Sequence, residues 1–171
     1  LFRSPAIQYV VEEAVAAGFN DILMVTGRNK RPLEDHFDRA TELEESLVER
    51  NDVARLKLVQ ASTDLARIHY VRQGDPKGLG HAVLQAEDHV GDEPFAVLLG
   101  DDLIDERDPI LPRMIEARRQ HGGSVVCLMR VPRDRIHLYG CASVSHEYGS
   151  GVVKLADLVE KPAVEEAPSD L

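Results

Sequence analysis

The sequence has no tryptophan, few aromatic residues and only two cysteines among its 171 residues. No stretch approaches the roughly 20 consecutive apolar residues that a membrane-spanning helix needs. Long basic runs are also absent, and the formal net charge is −10. This charge argues against a nucleic-acid-binding protein, because binding to a phosphate backbone requires a basic face. With 43% hydrophobic and 29% charged residues, the composition is that of an ordinary globular protein.

Cysteine and histidine chemistry is not indicated by the spacing of these residues. Cys127 and Cys141 both lie in apolar sequence, which favours reduced core thiols over a disulfide and is consistent with a cytoplasmic protein. The seven histidines are scattered without the spacing of metal ligands, so a zinc site is not predicted. No Ser/His/Asp or Cys/His pattern supports nucleophilic catalysis.

Helical and strand-like patterns alternate along the chain. Strands are predicted at Asp21–Thr26 and at residues 68–72, 95–99 and 124–131, with helices at residues 5–17, 32–47, 79–89 and 109–120. This alternation predicts an α/β fold with a doubly wound, mostly parallel sheet, built as one domain over residues 1–171. Residues 141–146 and Val152–Glu160 flank a Tyr-Gly-Ser-Gly turn and predict an antiparallel excursion from that sheet.

Helix ends and charged faces are also predicted from local signals. Ser4 can cap the first helix, Pro5 fits its first position, and Gly18 fits its C-terminal stop. Asn51 is the predicted cap of a further short helix. The glutamates of the preceding helix are predicted to face solvent; they are Glu42, Glu44, Glu45 and Glu49.

A glycine-rich loop joins a predicted strand to a predicted helix between Arg72 and Gly78. Such a junction exposes backbone N–H groups and lets a flat or anionic ligand approach closely. Open α/β sheets bind their ligands at this edge, and Gln73 offers the donor and acceptor that suit the edge of a base. The spacing matches neither the dinucleotide pattern nor the phosphate loop. The residues by themselves therefore leave a ligand loop and a mere tight turn equally open.

Two further polar pairs follow predicted strands. Asp101 and Asp102 could hold a divalent cation whose shell is completed by water and phosphate oxygens, although an acidic surface turn is the simpler alternative. Glu160 could bind sugar hydroxyls while Lys161 meets a phosphate. The alternative for this second pair is an exposed ion pair that contributes little to stability.

Taken together, these segments resemble the nucleoside-diphosphate-sugar pyrophosphorylases, and specifically the bacterial UTP–glucose-1-phosphate uridylyltransferases. The resemblance extends over essentially the whole chain and rests on several motifs. They are the helix at residues 6–14, an insertion beginning at His36, Gln-Gly…Gly-Leu-Gly-His-Ala-Val at 73–83, Leu-Gly-Asp-Asp at 99–102, Leu-Tyr-Gly at 138–140 and Val-Glu-Lys-Pro at 159–162.

The resemblance implies a Rossmann-like nucleotidyltransferase fold and uridylyl transfer from UTP to glucose 1-phosphate, giving UDP-glucose and pyrophosphate. It implies Mg²⁺ as cofactor, UTP and glucose 1-phosphate as partners, and a homodimer or homotetramer. It also implies site roles: Gln73 and Gly78 at the uracil, Asp101 as the magnesium ligand with Asp102 beside it at the substrate, Gly140 and Glu160 around the glucose, and Lys161 as the catalytic lysine at the phosphates. His81 is interpreted as a helix-start residue.

The sequence also departs from the family pattern. A Gly-Thr-Arg loop and a further catalytic lysine are expected upstream of Leu1, and a second metal-binding aspartate is expected beyond Leu171. Asp170 stands where the family has asparagine. The 171-residue chain by itself is therefore expected to lack turnover. Two alternatives stay open: a thymidylyl- or adenylyltransferase of the same fold, disfavoured by the insertion at 36–50 and by Gly-Leu-Gly-His, and a non-catalytic paralogue that binds nucleotide sugars.

Overall fold

The computed structural model describes residues 5–171, which fall into two compact units, one ending at Leu111 and one running from Pro112 to Leu171. The single-domain boundary stays a prediction. The elements occur in the order α1 (Ala6–Ala16), β1 (Asp21–Thr26), α2 (Arg31–Phe37), α3 (Thr41–Glu49), α4 (Val53–Thr63), β2 (Arg67–Arg72), α5 (Leu79–Leu84), α6 (Glu87–Val90), α7 (Ile110–His121), a 3-10 helix (Arg133–Leu138), β3 (Gly140–Gly149) and β4 (Val152–Glu160). None of the helices within residues 5–171 combines the length and apolar character that a membrane span requires.

In the first unit, β1 and β2 form a parallel pair in which Asp21 lies opposite Arg67 and Thr26 opposite Arg72. Met24 of β1 is buried because residues from α1 and α2 pack against it, while its apolar neighbours in the strand are partly buried. The centre of this core is Val11, Met24 and Phe37, against which pack Ile7, Val15, Ile22, Leu33, Leu65, Ile68 and Tyr70. Since parallel strands end at the same edge, this pairing places the loop after β2 beside the end of β1.

The C-terminal end of α1 is formed as predicted. Gly18 has φ +97°, and its N–H donates to the Val15 carbonyl while the Phe19 N–H donates to the Ala14 carbonyl. These two bonds are those of a Schellman motif, which requires the left-handed conformation that glycine adopts at low cost. At the other end Pro5 is the N-cap in extended conformation, not the first helical residue. The predicted cap by Ser4 lies outside the described residues.

The insertion between β1 and β2 contains two of the predicted features in altered form. The helix predicted over 32–47 is divided into α2 and α3, because Asp38 is extended with ψ 155°. Asp52 caps α4 by accepting a hydrogen bond from the Arg55 N–H at 3.1 Å, and Asn51 instead has φ +52°. The Asn51 prediction was therefore wrong by one residue. The backbone of Asn51 is left-handed, a conformation that asparagine tolerates better than most residues.

Glu44 is buried, with 4% exposure, so the prediction that all four glutamates face solvent was wrong. Arg39 donates to both of its carboxylate oxygens, and the Gln60 amide donates at 2.9 Å. These hydrogen bonds, with that from Arg39 the larger influence, lower the pKa of Glu44 below its ordinary value of 4.5. A sequence pattern on one helix does not reveal partners that are supplied by the preceding loop and by α4.

We expect the Glu44 carboxylate to stabilise the chain in a pH-dependent way. Because its pKa is lower in the folded than in the unfolded state, the contribution is complete above 4.5 and is lost as the pH falls through the folded value. Glu44→Gln should therefore lower the melting temperature at about pH 7, and the difference from the parent should shrink at about pH 3. The exposed neighbour Glu45 provides the control, since Glu45→Gln should change the melting temperature little at either pH. A Glu44→Gln deficit that is the same at both pH values would contradict this account.

Two strand predictions and one helix prediction were wrong in detail. Residues 95–99 and 124–131 form no helix or strand, and within residues 5–171 neither segment belongs to a strand ladder. Phe95 and Val126 are 55% and 48% exposed, so these apolar runs are not covered as a central strand would be. The helix predicted at 79–89 is divided into α5 and α6. Strand pairing depends on distant partners, which an apolar run does not specify.

The second unit contains the predicted antiparallel pair. β3 and β4 are joined through Gly149, Ser150 and Gly151, all with positive φ, and Gly140 lies opposite Glu160 at the other end. Cys141 is fully buried beside Ile136 and Ala167, as predicted for a core thiol. Cys127 is exposed, so its predicted place in the core was wrong.

Candidate functional site

The loop after β2 begins at the shared end of the parallel strands. The Gln73 N–H donates to the Thr26 carbonyl at 2.8 Å, which continues the β1–β2 pairing by one residue. Its side-chain amide nitrogen, Nε2, lies 3.1 Å from the Gly78 carbonyl oxygen and 2.9 Å from Nδ1 of His81. The structure therefore brings Gln73 and Gly78 together as the two ends of one loop.

Gly78 has a backbone conformation that other residues rarely adopt, with φ +98° and ψ −179°. This region of conformational space is essentially restricted to glycine. A Cβ built on Gly78 would meet no atom within 4 Å, so the space in front of the residue is open. Glycine is thus required by the backbone, and the open space would let a planar ring approach it closely.

Asp101 and Asp102 follow the apolar segment at 95–99, and both are exposed. The Asp102 N–H closes a turn to the Leu99 carbonyl at 3.2 Å. Within residues 5–171 no group of three or more His, Cys, Asp or Glu side chains could hold a metal. Two adjacent carboxylates nevertheless fit Mg²⁺, which proteins usually bind through one or two carboxylates while substrate phosphates and water complete the shell.

Gly140, Glu160 and Lys161 lie together at the open end of the β3–β4 hairpin. A Cβ at Gly140 would stand 3.3 Å from Glu160 Oε2, so glycine keeps space beside this carboxylate. Lys161 has φ +47°, and its N–H donates to the Tyr139 carbonyl at 3.1 Å. Its Nζ lies 3.5 Å from Glu160 Oε1, and both side chains are well exposed. Such a loose surface pair contributes little to stability, so both groups are available to a ligand.

The predicted site residues thus form three local groups. Gln73 and Gly78 meet across one loop, Asp101 and Asp102 are neighbours in a turn, and the hairpin group belongs to the second unit. Their roles stay predictions. Sequence reasoning missed the contact of His81 with Gln73, since it gave His81 only a place at the helix start. The signal was present, because a residue in the first turn of α5 lies next to the loop that the helix follows.

Asp170 has a structural partner in the second unit. Its Oδ1 accepts from Arg130 Nη1 at 2.6 Å, and its carbonyl accepts from the Val131 N–H at 3.0 Å. The Leu171 carbonyl accepts from the Ala142 N–H at 2.8 Å, so the last residues run beside β3. An aspartate here gains an ion pair that an asparagine would lack.

Comparisons with known proteins identify relatives over nearly the whole chain. Residues 1–170 match the family model described as nucleotidyl transferase. The chain is 51% identical over 167 residues to the UTP–glucose-1-phosphate uridylyltransferase YngB of Bacillus subtilis, covering 98% of this chain and 56% of the relative. It is 46% identical over 171 residues to the UTP–glucose-1-phosphate uridylyltransferase of Streptococcus pneumoniae, covering 98% of this chain and 57% of that relative.

Solved structures give the same result for the fold. An apo UDP-glucose pyrophosphorylase matches with TM-score 0.87 and 41% identity, covering 98% of this chain and 62% of the other. A UTP-bound UGPase from Acinetobacter baumannii matches with TM-score 0.89 and 37% identity, covering 97% of this chain and 60% of the other. These matches confirm the predicted nucleotidyltransferase α/β fold with its antiparallel pair near the C-terminal part. They also show that the chain spans less than two thirds of the length of these relatives.

Proposed function

Because this chain belongs to the nucleotidyl transferase family, we propose that the protein transfers the uridylyl group of UTP to glucose 1-phosphate. The products are UDP-glucose and pyrophosphate. The observation that carries the choice of base is the loop closed by Gln73 and Gly78, where an amide and an open backbone position lie side by side. Relatives named for this reaction, at 46–51% identity, support the same choice.

In the proposed reaction an oxygen of the glucose 1-phosphate phosphate attacks the α-phosphorus of UTP. A new phosphorus–oxygen bond forms in line as the bond from the α-phosphorus to the bridging oxygen of pyrophosphate breaks. No covalent bond to the protein is needed, so the chain must position two anions and compensate their charge. This need is acute in a chain with a formal net charge of −10.

Each proposed role follows from the chemistry of the side chain. Gln73 and Gly78 bind the uracil, Glu160 accepts from glucose hydroxyls beside the space kept by Gly140, and Lys161 supplies a cation to the phosphates. Asp101, with Asp102 beside it, would hold Mg²⁺, which supplies Lewis-acid stabilisation of phosphate oxygens when bound. Residence in the cytoplasm and assembly as a homo-oligomer stay predictions.

The test uses a chimera in which this chain replaces its matched segment of the Bacillus subtilis relative, so that the rest of that protein is present. We expect the chimera to form UDP-glucose from UTP and glucose 1-phosphate, and to use dTTP and ATP much less well. UDP-glucose formation is measured by separation of the products. A folded chimera that binds UTP without turnover would favour the non-catalytic alternative, and a preference for dTTP or ATP would favour the other transferases.

Lys161→Ala in the chimera separates phosphate binding from base recognition. We expect this variant to raise the KM for UTP and for dTTP by the same factor, because an ammonium group does not distinguish one base from another. A charge-assisted contact contributes about 1.5–3 kcal/mol, so the factor should be roughly tenfold or more. Lys154, on β4 but outside the proposed site, is the matched control, and Lys154→Ala should leave both constants near the parental values. An effect confined to one nucleotide would contradict the role given to Lys161.

A further inference from the structure

The amide group of Gln73 has a fixed orientation in the loop after β2. Its Nε2 lies 3.1 Å from the Gly78 carbonyl oxygen, and a carbonyl oxygen can only accept. The nitrogen, not the oxygen, must therefore face Gly78. The second hydrogen of the same NH₂ group is directed to Nδ1 of His81, which lies 2.9 Å away.

His81 must accept through Nδ1 for this pair of contacts to hold. The imidazole is then neutral, with its proton on Nε2. Gln85, one turn further along the chain, donates from its Nε2 to the His81 carbonyl oxygen at 3.3 Å. Its Nε2 also lies 3.4 Å from Nε2 of His81, but both groups are then donors, so this second contact is not a hydrogen bond. The hydrogen bond that orients the His81 ring is therefore the one with Gln73.

With both amide hydrogens engaged, only the carbonyl oxygen of Gln73 is available to a ligand. No hydrogen bond to this oxygen occurs within the part of the chain that the structure describes. An amide that was free to rotate could offer either its N–H or its oxygen to a base, whereas this one can only accept. Uracil carries a hydrogen on N3, while the N3 of cytosine is an acceptor.

We propose that His81 is a positioning residue that fixes the Gln73 amide, so that Gln73 reads the N3–H of the base and rejects cytosine. The inference rests on the proposed function, in which a uridine nucleotide occupies this loop. His81 touches Gln73 and not the reacting atoms, so its effect appears in the binding and choice of nucleotide. The ligand class is a pyrimidine nucleotide with a hydrogen on N3.

The test measures KM and kcat of the chimera for UTP and CTP with four variants: His81→Phe, His81→Asn, Gln73→Ala and the His81→Phe/Gln73→Ala double variant. His81→Phe keeps a ring but removes the acceptor, and we expect a KM for UTP that is roughly threefold to tenfold higher with kcat little changed, as for one lost hydrogen bond. The preference for UTP over CTP should fall, because a released amide can turn its N–H to cytosine. In the Gln73→Ala background, His81→Phe should have no further effect.

His81→Asn provides the rescue, since the side-chain oxygen of asparagine can accept near the position of Nδ1. We expect this variant to recover most of the affinity for UTP and the discrimination against CTP. The inference would be overturned if His81→Asn did not restore the KM for UTP. It would also be overturned if His81→Phe raised this KM by the same factor in the parent and in the Gln73→Ala variant. Either result would indicate a purely structural histidine. A parent chimera that does not use UTP would overturn the proposed function, whereas normal UTP use by His81→Phe would overturn this inference alone.

A second measurement does not depend on any substitution. Nitrogen-15 NMR of the His81 ring in the 171-residue chain at neutral pH should show an unprotonated Nδ1 and a proton on Nε2. A proton on Nδ1 would overturn the inference even if a His81 variant failed to fold.

Discussion

Gly78→Val should raise the KM of the chimera for UTP more than any other single change in the loop. At φ +98° and ψ −179° a β-branched residue is strained by about 1–3 kcal/mol. If this whole strain weakens UTP binding, the KM for UTP should rise by roughly 5-fold to 150-fold. The new side chain would also fill the open space where the ring is proposed to lie. Steady-state kinetics with UTP as the varied substrate measure the effect.

Gly74 offers a matched control in the same loop. It has no positive φ, and a Cβ there would meet no atom within 4 Å, so Gly74→Val should leave the backbone conformation unstrained. Gly78→Ala should fall between the two, because alanine carries the backbone strain with a smaller side chain. Equal effects of valine at positions 74 and 78 would show that Gly78 has no special part in binding the base.

Asp101→Asn should lower kcat of the chimera more than it raises the KM for UTP. Losing one carboxylate charge weakens the proposed magnesium site, and stabilisation of the pyrophosphate leaving group by the metal amounts to several kcal/mol. We therefore expect a fall in kcat of more than about tenfold at limiting magnesium, with partial recovery as magnesium is raised.

Asp92→Asn is the control for this change, because it removes the same charge from an exposed aspartate outside the proposed site. It should leave both kcat and its dependence on magnesium unchanged. If Asp101→Asn kept parental turnover at limiting magnesium, Asp101 would not be a metal ligand, and the acidic pair would be the surface turn that the sequence also allowed.

Local signals predicted those parts of the fold that depend on neighbouring residues. β1 and β4 were predicted with their observed bounds, and the end of α1 at Gly18 is confirmed in detail. Apolar strand segments and glycine caps can be predicted because each depends on only a few adjacent residues. The parallel pairing of β1 with β2 followed from the alternation of helices and strands.

The errors in strand pairing and in burial concern features that depend on distant partners, whereas the helix caps at Pro5 and Asn51 were misplaced by one residue. Residues 95–99 are apolar, yet a ladder requires a neighbouring strand that composition does not specify. Glu44 belongs to a glutamate-rich helix whose charged residues were predicted to face solvent. It is buried because Arg39 and Gln60 donate hydrogen bonds to its carboxylate. At the candidate site, the family resemblance indicated Gln73 and Gly78, whereas the orientation of the amide depends on the position of His81.

Uracil binding by the loop between Gln73 and Gly78 is the property on which the proposed function most depends. An NMR titration of the isotope-labelled 171-residue chain with UTP tests it, with the side-chain amide of Gln73, the backbone N–H of Gly78 and the ring of His81 as reporters. We expect UTP to shift these signals together and saturably and CTP to shift them far less, while the backbone N–H of Glu44, in α3 and outside the loop, is unaffected. Unmoved reporters in the presence of UTP, or equal shifts with CTP, would contradict it.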